Sequence, residues 1–371
     1  MKPSPAPSRP SLDTPLTRHA GIEVPLICGA MYPCSNPELV AAVSRAGGLG
    51  IIQPISMTYV HGHDLREGIR LIRRITDRPI GFNAIVEQSA RVYLDRMRRW
   101  IDVALEEGVR FFITALGNPR WVVDRVHAVG GVVYHDVTSR PWAQKALDGG
   151  VDGLICVNRR AGGHAGTSDP RELYDALADL GVPLVCAGGI GDPTGFVDAL
   201  AIGYAGVQLG TRFIATTECK AHPDYKAAIV RALASDIVLT EKISGVPVAV
   251  IETDHIRKVG TKAGPLTRRM LFFGDERIGF AIIERGLGYI ARTLSAFLRI
   301  GIVALGIHII NFHGVVVFQL GGSQIRAEAV TLELTVDFAV ADGEVDFLLF
   351  GFSLAHAQPP TGYGRMRQFL V

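Results

Sequence analysis

The 371-residue sequence has almost no net charge: 38 Lys and Arg stand against 36 Asp and Glu, a formal +2. Without a long basic cluster it offers no electrostatic footprint for nucleic acid or for an anionic membrane surface, and the implied partner is a small molecule. Cysteine is sparse. Cys28, Cys34, Cys156, Cys186 and Cys219 are odd in number and widely spaced, with no CxxC and no Cys/His ligand spacing. That excludes a disulfide framework and a zinc knuckle, implies no metal, and fits a reduced cytoplasmic setting. An apolar segment at the start is also missing: MKPSPAPSRPSLDTPLTR is rich in Pro and Ser, so residues 1–19 read as a flexible tail and not as a signal peptide. No GxGxxG fingerprint stands between a strand and a helix, so no separate dinucleotide-binding unit is expected.

What is present is a regular alternation. From Val24 onward, short apolar runs rich in β-branched residues alternate with longer segments of helical period, the mark of βα units around a parallel sheet. The runs fall at Val24–Gly29, Leu49–Gln53, Ile80–Ala84, Val109–Thr114, Val132–Asp136, Gly153–Val157, Leu184–Ala187 and Gly206–Leu209, eight in all. Eight units predict an α/β fold, a (β/α)8 TIM barrel. Ser35-Asn36-Pro37-Glu38 and Asp192-Pro193 supply capping residues and a proline at two helix starts, and short connections leave no domain linker before about residue 215.

Beyond the barrel, Lys220–Ser235 reads as a further helix and Gly245–Glu252 as an extended piece packed on the barrel, so residues 20–285 form one domain with an extension. Residues 286–371 do not continue the pattern and form an atypical C-terminal segment. Ile300–Leu320 is mostly apolar but holds His308, Asn311, His313 and Gln319, and reads as buried or strand-forming in preference to a membrane span. Ala327–Val340 alternates, with Val330, Leu332, Leu334 and Val336 on one face, as a half-buried strand does. Its apolar load calls for a partner surface, either the barrel or a homodimer interface.

Reactive groups in such barrels sit at the C-terminal strand ends. Glycines crowd there: Ala187-Gly188-Gly189-Ile190-Gly191 follows the seventh run and Gln208-Leu209-Gly210-Thr211-Arg212 the eighth. Glycine lets the backbone approach an anion, so the two turns read as a phosphate site. The sixth run leads into Asn158-Arg159-Arg160-Ala161-Gly162-Gly163-His164-Ala165-Gly166, which places an imidazole on a Gly-rich loop at the same face. His164 is either a base or a loop histidine bonded to a neighbouring carbonyl. Asp136, beside His135 at the end of the fifth run, either reaches the site or bonds a backbone N–H. His222 and Asp224 read as helix-capping residues, and Cys34 and Cys219 carry no assigned chemistry.

Six segments, PLICGAM (25–31), AGGLGII (46–52), GFNA (81–84), RAGGHAG (160–166), CAGGIGD (186–192) and GVQLGTRFIATTEC (206–219), resemble the nitronate monooxygenase (2-nitropropane dioxygenase) family over roughly residues 20–255. The resemblance implies an FMN-dependent (β/α)8 barrel that oxidises alkyl nitronates or nitroalkanes with dioxygen. It implies that Ala30 and Met31 lie against the flavin ring, that Asn83 hydrogen-bonds it, and that Gly162 and Gly163 flank it. Gly188, Gly189, Gln208, Leu209, Gly210 and Thr211 would hold the ribityl and phosphate end, and His164 would be the catalytic base. Arg160 stands where the family more often has an acidic residue, and the family's closing aromatic and lysine-containing segment is not evident past Arg285. Enoyl-acyl carrier protein reductases and NADH:quinone reductases share the Gly-rich pieces, which leaves two alternatives: an NAD(P)H-dependent flavin reductase acting on a quinone or enoyl thioester, and a flavin-binding protein without turnover.

Overall fold

A computed structural model of the chain describes residues 11–86, 91–242 and 247–264, together with the backbone of six strands between residues 307 and 356. Eight parallel strands close a barrel: β1 (Leu26–Cys28), β2 (Leu49–Ile52), β3 (Ile80–Ile85), β4 (Phe111–Ala115), β5 (Val132–Val137), β6 (Gly153–Val157), β8 (Leu184–Ala187) and β9 (Gly206–Leu209). The sheet shuts on itself where Leu26, Ile27 and Cys28 of β1 pair with Val207, Gln208 and Leu209 of β9. All eight expected runs are strands of this barrel; β6, β8 and β9 have the expected bounds, and the others differ from the apolar run by one to three residues in length.

Period-2 alternation divides their side chains between two cores. Ile27, Ile51, Ile113, Tyr134, Ile155 and Val185 fill the barrel interior. Phe82, Phe112, Leu154, Cys156 and Cys186 face the helices. The outer layer is built by α2 (Pro37–Arg45), α3 (Leu65–Ile75), α4 (Arg91–Glu106), α5 (Arg120–His127), α6 (Arg140–Asp148), α7 (Pro170–Leu177) and α8 (Pro193–Ile202), preceded by α1 (Pro15–Ala20).

Helix α1 corrects the expectation of a flexible tail through residue 19; residues 1–10 lie outside the described residues. Thr14 and Thr17 form a reciprocal capping box, Pro15 occupies the first turn and Gly21 closes the helix in the left-handed region, which stabilises six residues despite the Pro- and Ser-rich composition. Leu16 is fully buried. A Cβ on Gly206 would stand 2.4 Å from its Cδ2, and His19 Nδ1 lies 3.0 Å from the Tyr134 hydroxyl inside the barrel. Thus α1 plugs the end of the barrel where the strands begin.

After the barrel come α9 (Thr211–Ile214), α10 (Pro223–Arg231), strands β10 (Ile237–Thr240) and β11 (Val248–Ile251), and α11 (Asp254–Val259). The expected helix of 220–235 is α10, and the expected extended piece holds β11; residues 243–246 lie outside the described residues. β11 forms a small antiparallel sheet with β10 on one side and β7 (Gly163–His164) on the other.

The chain divides into two compact units, Met1–Phe280 and Ala281–Val371. In the second, β12 (Ile307–Phe312) pairs with β13 (Val315–Leu320), β14 (Val330–Thr335) with β17 (Gly351–His356), and β15 (Phe338–Ala341) with β16 (Glu344–Phe347), all antiparallel. The apolar run at 300–320 therefore holds a strand pair, its first residues lying outside the described ones, and the alternating run at 327–340 yields β14 and most of β15. Among the described residues no helix is long and apolar enough to cross a membrane.

Candidate active site

Three glycine-rich connections meet at the C-terminal end of the barrel. A Cβ on Gly188 would lie 2.5 Å from the Ala161 amide nitrogen, and one on Gly162 would lie 2.5 Å from the Thr211 hydroxyl. Thus the loop after β6 packs against the turns that follow β8 and β9. Gly188 and Gly189 adopt φ of +119° and +76°, a conformation that admits glycine with little cost and turns successive N–H groups toward one point. Among the described residues the amides of Gly188, Gly189, Ile190, Gly210 and Thr211 find no acceptor.

Around this concavity stand most of the residues expected there. Ala30 packs against the interior core, and Met31 Sδ lies 3.5 Å from where a Gly210 Cβ would be. Asn83 is buried on β3, two residues past Gly81, whose absent Cβ leaves room for Ile51 in the barrel interior. Gln208 folds over Gly29, where a Cβ would lie 3.0 Å from its Cγ and Cδ, and its Oε1 is sealed from solvent without a partner. An orphaned acceptor on an inward-facing strand position is suited to a donor from a ligand or a bound water. Leu209 corrects its assignment to this set: its side chain belongs to the helix-facing core and its carbonyl accepts from the Gly29 amide at 2.9 Å. Odd and even positions of a strand face opposite ways, and Gln208 holds the inward one.

His164 lies not on an irregular loop but on strand β7, with Val248 of β11 as its register partner. Partial burial lowers its pKa, so the imidazole is neutral and able to accept a proton near neutrality. Arg160 does not govern it. The Arg160 guanidinium reaches Asp169 Oδ1 at 2.9 Å, and Arg159 reaches Oδ2 of the same carboxylate at 2.5 Å.

Asn158 was not singled out by its residue type, yet it organises the loop. Its carbonyl accepts from both Ala161 and Gly166, its side-chain Oδ1 accepts from the Arg160 amide at 2.8 Å, and its Nδ2 donates to the Gly188 carbonyl at 3.0 Å. Gln53, also buried, accepts from the Ser56 amide at 2.6 Å and shapes the turn after β2. Neither carries a sequence signal, because each acts through contacts made only in the folded barrel.

Other candidates resolve simply. His222 Nδ1 accepts from the Asp224 amide at the start of α10, the capping role expected of it. His135 is buried against the Thr114 hydroxyl at 2.8 Å and burial pushes its pKa down to about 4, so it is a neutral wall residue. The five cysteines are buried and unpaired. Among the described residues no cluster of His, Cys, Asp and Glu is arranged to hold a metal.

Known proteins resemble this chain. An octahydro-indene-carboxyl-CoA dehydrogenase of Mycobacterium tuberculosis is 31% identical over 285 residues, covering 76% of this chain and 74% of that protein. A nitronate monooxygenase of Pseudomonas aeruginosa is 30% identical, covering 62% of this chain and 77% of its own length. The structure of FabK from Thermotoga maritima superposes with a TM-score of 0.60 at 32% identity, over 74% of this chain and 83% of that one. A model of the nitronate monooxygenase family matches residues 13–270, from the residue before the α1 cap to beyond α11, and so takes in every element that builds the barrel mouth: the chain is an oxidoreductase of the nitronate monooxygenase family.

Proposed function

We propose that the chain binds FMN at the barrel mouth and oxidises alkyl nitronates with dioxygen, His164 serving as the base. The observation that carries this reading is the set of amides without acceptors at Gly188, Gly189, Gly210 and Thr211, which lie at the ends of two neighbouring barrel strands. Backbone donors converging there suit a phosphate group. The donor set along the rest of the mouth suits a flat heteroaromatic ring: Asn83 and Gln208 offer amide groups to its polar edge, Ala30 and Met31 a short apolar wall, and Gly162 and Gly163 room for close approach.

Bound FMN would supply the two-electron oxidation and the reaction with dioxygen, while the protein orients and handles protons. With a neutral nitroalkane, the α-proton passes to an imidazole nitrogen of His164. With a pre-formed nitronate the same group orients the anion. Asn158 clamps the loop that leads into β7 to the glycine turn after β8, and the apolar interior below, from Ile113, Tyr134 and Ile155, would exclude water from the reacting face. The setting is the cytoplasm, the partner a small molecule, and the assembly a homodimer.

A second reading follows from the Mycobacterium tuberculosis dehydrogenase, whose name places a carboxyl-CoA among its substrates and which matches 76% of this chain: an acyl or enoyl thioester would then replace the nitronate, with a pyridine nucleotide as donor or acceptor of electrons. One experiment separates them. The purified protein, yellow as isolated or after addition of FMN, is mixed anaerobically with an alkyl nitronate, NADH or NADPH, and the flavin absorbance is followed. Bleaching by nitronate alone supports the monooxygenase, bleaching by a pyridine nucleotide alone the reductase; a protein that takes up no FMN refutes both.

A further inference from the structure

Asp136 is the last inward-facing residue of β5. Val132 and Tyr134, four and two positions earlier, pack in the barrel interior, and alternation brings the Asp136 side chain to the same side one layer higher, at the end of the barrel where the glycine turns lie. Its register partner on β6 is Ile155, itself fully buried. Its Oδ1 is sealed from solvent and has no hydrogen-bond partner among the described residues. A half-buried carboxyl with an orphaned oxygen, at the mouth of a barrel, is a group whose partner arrives with the ligand.

The surroundings decide its charge. The neighbouring strand β4 is Phe-Phe-Ile-Thr-Ala and contributes no charged side chain, and β3 contributes none. His135 turns to Thr114. The nearest titratable group on β6 is the Cys156 thiol, which burial holds protonated. With no cation beside it among the described residues, the Asp136 carboxyl is pushed up to about 7 by burial, so near neutrality a large share carries its proton.

We propose that Asp136 is a further recognition residue of this site, its neutral carboxyl donating a hydrogen bond to the anionic oxygen of the bound nitronate. The inference rests on the functional reading above and deepens it. An ionised Asp136 would repel the same oxygen, so binding of the anion draws a proton onto the carboxyl: one proton moves from solvent to Asp136, and no other bond changes. His164, neutral across this range, does not compete for that proton.

The test uses the FMN-loaded protein, its flavin content read from absorbance, and calorimetric titration under anaerobic conditions with an alkyl nitronate, in buffers of different ionisation enthalpy at about pH 8, where an ordinary carboxyl is fully ionised. Wild type should take up close to one proton per nitronate bound, Asp136→Asn close to none. Steady-state oxidation should agree: kcat/KM for nitronate falls above about pH 7 in wild type, and that limb disappears in Asp136→Asn, which keeps a donor. Asp136→Ala, with equal flavin content, should raise KM for nitronate about tenfold, the scale of one hydrogen bond to a charged group. Equal proton uptake in wild type and Asp136→Asn, or an unchanged KM in Asp136→Ala, overturns the role of Asp136 while leaving the flavin assignment standing. A protein that binds no FMN overturns the functional reading itself, and the nitronate assignment falls with it.

Discussion

The Asn158 side-chain amide donates to the Gly188 carbonyl across 3.0 Å, so one residue at the end of β6 ties the loop that follows it to the glycine turn after β8. Replacing it by alanine leaves the Gly188 carbonyl and the Arg160 amide without their partners, at a cost of about 1–3 kcal/mol for buried polar groups left unsatisfied. Asn158→Ala should therefore lower the melting temperature and weaken FMN binding together, measured by thermal denaturation and by fluorescence titration of the apoprotein. A variant that loses stability but retains wild-type flavin affinity would show that the clamp shapes the fold and not the cradle.

His164→Ala should retain FMN and lose about 10²–10⁴ in turnover of a neutral nitroalkane, the range typical of a positioned general base. The loss on a pre-formed nitronate should be much smaller, because the proton has already left. Steady-state assays with both forms of one substrate decide the matter, and equal losses would remove the base role.

The glycine turn is predicted to be intolerant of side chains. Gly188→Ala would force a Cβ to within 2.5 Å of the Ala161 nitrogen at φ of +119°, a left-handed position strained for any L-residue. The expected outcome is loss of flavin retention through gel filtration, with the barrel still folded by circular dichroism.

Leu16→Ala should cost about 2–5 kcal/mol, the range for deleting a large buried aliphatic side chain. Urea denaturation measures this directly. A cost under about 1 kcal/mol would be typical of a surface change and would show that α1 does not plug the barrel.

Stability should also depend on pH with a definite sign at β5. The Asp136 pKa is raised from its ordinary value of 3.8 to about 7. Its contribution is fully present below about pH 4 and is lost as pH rises through about 7, because the folded state then has to bury a charge or remain protonated. His135 has the opposite sign: its pKa is depressed from 6.5 to about 4, so its contribution is present above pH 6.5 and is lost as pH falls toward about 4. Asp136→Asn should accordingly melt higher than wild type at about pH 8 and show a shrinking advantage toward about pH 4. A constant difference across that range would contradict the assignment.

The barrel was readable from Val24 onward because each strand is a short β-branched run buried on both faces, a signal that survives without tertiary context. Helix α1 was not readable: Thr14 and Pro15 look like tail residues until Leu16 is seen inside the barrel. The strand character of His164 is invisible locally, since a two-residue strand exists only through pairing with Val248 and Ala249, more than eighty positions later. Gly188, Gly189 and Gln208 are legible as candidates through type and position, whereas Asn158 and Gln53 act through contacts that no spacing encodes. Leu209 was misplaced by a single step of strand alternation.

The pairing of β7 with β11 also sets an order of events during synthesis. The barrel is complete in sequence at Leu209, when β9 can meet β1, but the partner of His164 is not made until Val248 and Ala249 have followed. A nascent chain halted between these points has a closed barrel and its glycine turns, yet nothing to hold the imidazole in line. With the site as proposed above, cofactor capture would precede catalytic competence: the turns proposed to hold the flavin are made before the strand that aligns His164.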